Sequence, residues 1–168
     1  MGIDYTGSRK SSMDFDQTRE VLMAFERTGV RYVIIGAVAL NLQGLPRATL
    51  DLDVFIAPQR ENVVRLREAL KSVFDDPHLD EITPKDLLGD YPAIQYVPPE
   101  GTFHIDLLTR LGDAYSFEDL ESERVEFDGV EVSVATAKTL YRMKKATVRP
   151  QDRADAERLR EHFDLEEE

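Results

Sequence analysis

Two aspartates alternate with apolar residues in the segment Leu50 to Ile56, whose sequence is LDLDVFI. Successive side chains of a β-strand point to opposite faces, so Asp51, Asp53 and Phe55 share one face and the leucines and the valine share the other. On such a strand the Cα atoms of Asp51 and Asp53 are about 6.6 Å apart. Their carboxylates can therefore converge on one divalent cation or bracket two cations about 3.5 to 4 Å apart.

The segment before this strand offers a place for phosphate. An apolar strand, Tyr32 to Ile35, reaches Gly36, and the pattern predicts a short helix from Val38 to Gln43. Free backbone N–H groups at a helix N-terminus attract phosphate, and a glycine lets phosphate approach the backbone closely. A glycine and a proline then end the helix, which leaves Arg47 and Thr49 in the connection to the acidic strand.

A third acid lies further along the chain. Two strands, Ala93 to Val97 and Thr102 to Leu108, are predicted around the turn sequence PPEG. In the second strand His104 and Asp106 share the face opposite three apolar residues, so Asp106 matches the positions of the first two acids. On this pattern alone, an ordinary exposed strand position is favoured for both Asp106 and His104.

The combination of strand, Gly36, short helix and D-h-D strand resembles the signature of the polymerase-beta-type nucleotidyltransferase superfamily, written hG[GS] followed by D-h-[DE]-h. The letters GAVAL and GLPRATLDLD are similar to the minimal bacterial branch that contains abortive-infection and toxin-antitoxin nucleotidyltransferases. The C-terminal run MKKATVRPQDRADAERL resembles the K-x4-R-P-x-D-x2-D motif of that branch. One departure is Ala37, which stands where the superfamily usually has Gly or Ser and provides a backbone N–H but no hydroxyl.

This resemblance implies roles for the matched residues. Asp51, Asp53 and Asp106 would be catalytic and would hold two Mg²⁺ ions, and Asp106 would also accept the proton of the attacking hydroxyl. The residues assigned to the nucleoside triphosphate are Gly36, Ala37, Arg47, Thr49, Lys144 and Arg149. Asp152 and Asp155, on successive turns of one helix, would position the basic residues or the loops on the adenine side. A helix N-terminus enriched in acids for dipole reasons explains Asp152 equally well.

The resemblance also implies the fold. We expect an α/β domain of nucleotidyltransferase fold, with a mixed, mainly antiparallel sheet flanked by helices and two C-terminal helices. The 168 residues suit a single domain at 14–168, with a flexible terminus at 1–13, a core at 30–134 and the C-terminal helices at 135–164. The Asp-Gly pair at 128–129 predicts a β-hairpin that extends the sheet or forms a small ribbon.

Composition narrows the function further. The chain has no cysteine and no apolar segment near the roughly 20 residues of a membrane span, which fits a cytoplasmic protein without disulfides or thiolate metal sites. The net charge of −12 argues against broad nonspecific nucleic-acid binding. Eight bases and three acids give residues 137–160 a net charge of +5, against −17 for the remainder. A basic C-terminal part suits a triphosphate, and two ordinary solvated helices are the alternative.

The expected reaction is transfer of a nucleoside monophosphate from a nucleoside triphosphate to a hydroxyl group. The resemblance favours a toxin-antitoxin-type enzyme that acts on RNA or protein, with an antitoxin-like protein as a partner. The alternatives are an antibiotic-type enzyme with a small hydroxylated acceptor, and a catalytically silent nucleotide-binding or regulatory module of the same fold. The sequence does not specify the donor base.

Overall fold

The computed structural model of the chain describes residues 15–48, 51–99, 103–113 and 115–166. The helices within these residues are α1 (Phe15–Thr28), α2 (Gly36–Leu42), α3 (Arg60–Val73), α4 (Pro84–Leu87), α5 (Ala137–Lys145) and α6 (Pro150–Phe163). The strands are β1 (Tyr32–Ile35), β2 (Asp51–Ile56), β3 (Ala93–Tyr96), β4 (His104–Leu108), β5 (Arg110–Leu111), β6 (Tyr115–Ser116), β7 (Ser122–Phe127) and β8 (Val130–Ala135). Short 3-10 helices span Pro77–Glu81 and Phe117–Asp119.

Six strands form one sheet in the order β3-β4-β2-β1-β8-β7. The pairs β1–β2, β3–β4 and β7–β8 are antiparallel, whereas β2–β4 and β1–β8 are parallel. The predicted mixed, mainly antiparallel sheet is therefore confirmed. Strands β5 and β6 form a separate two-stranded ribbon.

The apolar helix stripes pack as their periodicity predicts. On α1 and α3 the buried residues recur every three or four positions, which places one face of each helix in the core. The two helices also contact each other. The fully buried residues of these stripes include Val21, Leu22, Phe25, Val63, Leu66 and Leu70.

The Asp-Gly hairpin joins β7 to β8 and extends the main sheet. Asp128 and Gly129 both adopt positive φ angles, 48° and 86°, as a two-residue type I′ turn requires. Strand β8 then pairs in parallel with β1 through Ile34 and Val134. Of the two predicted outcomes, the structure has the hairpin as the edge of the sheet.

The strand that carries the first two acids lies inside the sheet, between β4 and β1. Asp51 and Asp53 keep partial access to solvent, whereas Phe55 on the same face is fully buried. The solvent-accessible part of this face is therefore confined to the beginning of β2. Strand alternation alone predicts a longer accessible face that includes Phe55. Leu50, Thr102 and residues 1–13 belong to predicted segments that lie outside the described ranges.

The C-terminal helices pack against each other after the last strand. Helix α5 begins after Thr136, whose hydroxyl accepts a hydrogen bond from the backbone N–H of Thr139. Helix α6 begins at Pro150, since the fixed φ of proline suits the first helical position. None of the helices in the described part of the chain combines the length and hydropathy needed to cross a membrane.

Candidate active site

The parallel register of β2 and β4 brings four polar side chains onto one face of the sheet. Asp51 lies opposite His104, and Asp53 lies opposite Asp106. Because alternate residues of a strand share a face, these two cross-strand pairs are neighbours. Asp106 thus lies beside the D-h-D strand, at the position that the sequence predicts for a third carboxylate.

His104 lies among the carboxylates. Its Nε2 atom is 2.8 Å from Oδ1 of Asp51 and 3.6 Å from Oδ2 of Asp106. One ligand atom from each of these three residues lies within 4.8 Å of the other two, which is compact enough for a metal ion. His104 is therefore not the ordinary exposed strand residue that the pattern favours, since its side chain is 30% exposed. Its alternation with Asp106 on one face was the available signal.

Asp53 occupies the inner part of the site, against the backbone of Gly36. Gly36 has a φ angle of +71°, and a Cβ atom added there would lie 2.1 Å from Oδ2 of Asp53. No other residue type combines this backbone conformation with the absence of a side chain. The position of Asp53 thus requires a glycine at residue 36, whether or not phosphate binds there.

Burial, together with the crowding of the acids, raises the pKa values of two of them. Burial raises the pKa of Asp53 to about 8, and a hydrogen bond with Asp106 and the charges of Asp106 and Asp51 add to it. Burial also raises the pKa of Asp51, and the nearby charge of Asp106 contributes, whereas His104 opposes the rise. A divalent cation would remove this mutual repulsion, so the donor set fits the metal that the sequence predicts.

A cavity of about 520 Å³ adjoins the acids. Its lining includes Gly36, Asp53 and Asp106 together with Lys144, Arg149 and Asp152. Apolar side chains of β3, β4, α5 and the ribbon line the remainder, among them Ile94, Leu108, Leu111, Leu140 and Met143. The cavity therefore brings carboxylates and cationic groups to one space that is large enough for a small ligand.

Lys144 is held by two acids of α6. Its Nζ atom is 3.3 Å from Oδ1 of Asp152 and 3.3 Å from Oδ2 of Asp155. Burial tends to raise the pKa of Asp152, but the hydrogen bond from Thr147 and the Lys144 charge outweigh it and lower that pKa. Both acids therefore orient Lys144 at the edge of the cavity.

Arg47 faces the same buried acid. Its Nη1 atom is 2.5 Å from Oδ2 of Asp155, whose side chain is completely buried. The Asn41 side chain holds the same loop, since its Oδ1 accepts from the Arg47 N–H at 2.6 Å and its Nδ2 donates to the Arg47 carbonyl at 2.7 Å. Arg47 therefore links the loop that follows α2 to α6. Thr49 lies outside the described residues.

Arg149 and Ala37 complete the predicted nucleotide contacts. Arg149 precedes α6, and its side chain is 75% exposed, with Nε 3.7 Å from Oδ2 of Asp152. Ala37 lies in the first turn of α2, directly after Gly36, and this helix end has no side-chain cap. Arg149 and Gly36 line the cavity, whereas Ala37 is not among its lining residues.

No protein-family model matches the chain, and no curated protein matches it in sequence. Similar folds occur among solved structures. A protein of Thermotoga maritima assigned as a nucleotidyltransferase (TM1012) is 15% identical, with 88% of this chain and 90% of that chain covered and a TM-score of 0.50. The lincosamide antibiotic adenylyltransferase LnuA with bound lincomycin is 14% identical over 86% of this chain and 95% of that chain, with a TM-score of 0.52. ANT(2")-Ia in complex with adenylyl-2"-tobramycin is 13% identical over 86% of each chain, with a TM-score of 0.53. The chain thus has the nucleotidyltransferase fold, as predicted.

Proposed function

We propose that the protein is a metal-dependent nucleotidyltransferase that transfers a nucleoside monophosphate from a nucleoside triphosphate to a hydroxyl group. One observation carries the proposal. Asp51 and Asp53 lie in register with His104 and Asp106 on the neighbouring strand, and Asp53 and Asp106 line a cavity together with Lys144. Carboxylates that can bind divalent cations and a cationic group that can bind phosphate thus line one space.

Asp51, Asp53 and Asp106 would hold the metal, for which Mg²⁺ with two ions is the expectation from the sequence. When bound, the metal would neutralise phosphate charge and polarise the reacting oxygens. The fit rests on the three crowded carboxylates, since burial and neighbouring acids hold the pKa of Asp53 near 8. A cation at this position would replace the proton that otherwise relieves the repulsion.

Side chains and backbone groups of the protein would then accept the proton, bind the triphosphate and balance the charge of the leaving group. The acceptor hydroxyl oxygen forms a bond to the α-phosphorus, the bond from that phosphorus to the bridging oxygen breaks, and pyrophosphate leaves. Asp106 accepts the hydroxyl proton. Lys144 and Arg149 balance the charge of the departing pyrophosphate, and the backbone N–H groups of Gly36 and Ala37 contact the triphosphate. Arg47 acts indirectly, because it shares Asp155 with Lys144.

A small hydroxylated molecule is the acceptor class that the cavity favours. Its volume of about 520 Å³ and its largely apolar lining are typical of small-molecule sites. LnuA and ANT(2")-Ia, which share the fold, are seen with lincomycin and with adenylyl-2"-tobramycin. A panel of hydroxylated antibiotics with an α-labelled triphosphate tests this class. Absence of transfer to every member would remove it.

The sequence motifs support a second candidate, a toxin-type enzyme that acts on RNA or protein and has an antitoxin-like partner. This candidate predicts growth arrest when the native chain is expressed, and relief of that arrest by Asp51→Ala. Harmless overexpression of the native chain would count against it. A catalytically silent module, supported by Ala37, predicts nucleotide binding without turnover under any of these conditions.

The deciding experiment is a thermal-shift series with the four nucleoside triphosphates, with and without Mg²⁺. Ligands that bind the folded state raise its apparent stability by mass action. We expect a base-selective shift that requires both Mg²⁺ and Asp53, and that is lost in Asp53→Asn. Asp75→Asn, which changes an exposed aspartate after α3, is the matched control. An equal shift in the native chain and Asp53→Asn would contradict the assignment.

A further inference from the structure

His104 is the one member of the four-residue cluster to which the proposed function gives no role. It lies on β4 opposite Asp51, and its Nε2 atom is 2.8 Å from one carboxylate oxygen and 3.6 Å from another. These oxygens belong to two different strands. The imidazole thus reaches the same space as the two carboxylates.

The other two histidines have different surroundings. His78 is 80% exposed and pairs with Glu81 of its own 3-10 helix. His162 lies near the end of α6, with its ring edge-on to Phe163. Neither belongs to a group of potential metal ligands within the described part of the chain, whereas His104 does. The placement of His104 is therefore specific to the acidic site.

An imidazole nitrogen changes which metals a carboxylate site prefers. Mg²⁺ favours oxygen ligands, whereas first-row transition ions bind nitrogen more readily. The two cross-strand pairs also differ in chemistry. Asp51 and His104 offer oxygen and nitrogen, while Asp53 and Asp106 offer oxygen alone. Two cations bound at this face would therefore meet two different ligand sets.

We propose that His104 is a nitrogen ligand in this site, and that the Asp51–His104–Asp106 group binds first-row transition cations such as Mn²⁺ more tightly than Mg²⁺. The relevance to nucleotidyl transfer rests on the proposed function, but the binding itself does not. The competing account is that His104 only holds the Asp51 carboxylate in place by a hydrogen bond. That account predicts no metal–nitrogen bond.

Pulsed electron paramagnetic resonance of Mn²⁺ separates the two accounts. The full chain is freed of metal and given less than one equivalent of Mn²⁺, and the spectrum is examined for modulation by a directly bound ¹⁴N nucleus. We expect this modulation in the native chain and in the control His78→Gln, and its loss in His104→Gln. Native protein without nitrogen modulation, or persistence of the signal in His104→Gln, would overturn the proposal.

Titrations with Mn²⁺ and Mg²⁺ give an independent readout. Loss of one ligand should raise the Mn²⁺ dissociation constant of His104→Gln by at least about 10-fold, with a smaller effect on Mg²⁺. His104→Asp keeps a ligand but replaces nitrogen by oxygen, so its preference for Mn²⁺ over Mg²⁺ should fall. Circular dichroism confirms that both variants are folded. If the native chain bound Mg²⁺ as tightly as Mn²⁺, the proposal would be wrong.

The two proposals can fail separately. Nitrogen modulation without nucleotide binding or transfer would support the role of His104 and contradict the proposed function. Transfer that depends on Asp53, in a protein whose Mn²⁺ shows no bound nitrogen, would support the proposed function and contradict the role of His104.

Discussion

Replacement of Asp53 by Asn should stabilise the metal-free protein at alkaline pH while it weakens the response to Mg²⁺ and removes the response to nucleotide. In the native chain the Asp53 carboxyl group packs against Gly36 and shares a hydrogen bond with Asp106. An asparagine of the same size avoids the buried charge. Its NH₂ group can also donate to the carboxylate of Asp106.

The size and sign of the effect follow from the pKa of Asp53, which is about 8 in the folded chain against an ordinary value of 3.8. That difference corresponds to an upper limit of about 6 kcal/mol, because each pKa unit equals about 1.4 kcal/mol. Asp53 retains partial access to water, so we expect about 2 to 3 kcal/mol. For a group with a raised pKa, the stability present below pH 4 is lost as the pH rises toward 8.

The assay is urea unfolding at pH 4.5 and pH 9 in the presence of a chelator, with Asp75→Asn as the control. We expect Asp53→Asn to exceed the native chain in unfolding free energy by about 2 to 3 kcal/mol at pH 9, and by much less at pH 4.5. Addition of Mg²⁺ should stabilise the native chain and Asp75→Asn more than Asp53→Asn. A difference between the two proteins that does not change with pH would refute the reasoning.

Three further substitutions probe other parts of the site. Gly36→Ala should destabilise the protein by about 2 to 4 kcal/mol in urea unfolding, because the backbone has positive φ and the new Cβ would meet a carboxylate oxygen; unchanged stability would contradict this. Asp155→Asn should lower the unfolding free energy by about 2 to 4 kcal/mol, since it leaves two cationic side chains without their shared buried anion; a loss below about 0.5 kcal/mol would show that the ion pairs contribute little. Arg149→Ala should change stability by less than about 0.5 kcal/mol but weaken triphosphate binding about 10-fold in a calorimetric titration, because its exposed side chain lines the cavity. The matched change Arg153→Ala, on the exposed face of α6, should leave binding unchanged.

Local sequence signals predicted most of the elements. The hairpin at Asp128 and Gly129 was predictable because its turn needs two residues that tolerate positive φ. The buried apolar residues of α1 and α3 have helical spacing. Helix α6 begins at Pro150, a residue type that favours the first helical position. The ribbon of β5 and β6 was not predicted, because two-residue strands are too short to show the alternation of apolar and polar residues that indicates a strand.

The sequence also predicted which site residues share a face within a single strand. Asp51 and Asp53 share a face because side chains alternate along a strand, whatever the rest of the fold does. Asp106 and His104 share a face of β4 for the same reason. Strand alternation cannot show that the two faces coincide, since that depends on which strands pair and in which register.

The tertiary structure decided three matters that the sequence by itself left open. Parallel pairing of β2 with β4 sets His104 beside Asp51, so a residue that reads as an exposed histidine becomes a potential ligand. The loop that follows α2 lies against α6, so Arg47 contacts Asp155, which is more than 100 positions away in the chain. The approach of the Asp53 carboxylate to Gly36 explains a glycine that local sequence attributes to phosphate binding. Each depends on contacts between segments far apart in sequence, which local periodicity does not encode, whereas the residue types and the shared faces follow from the chain alone.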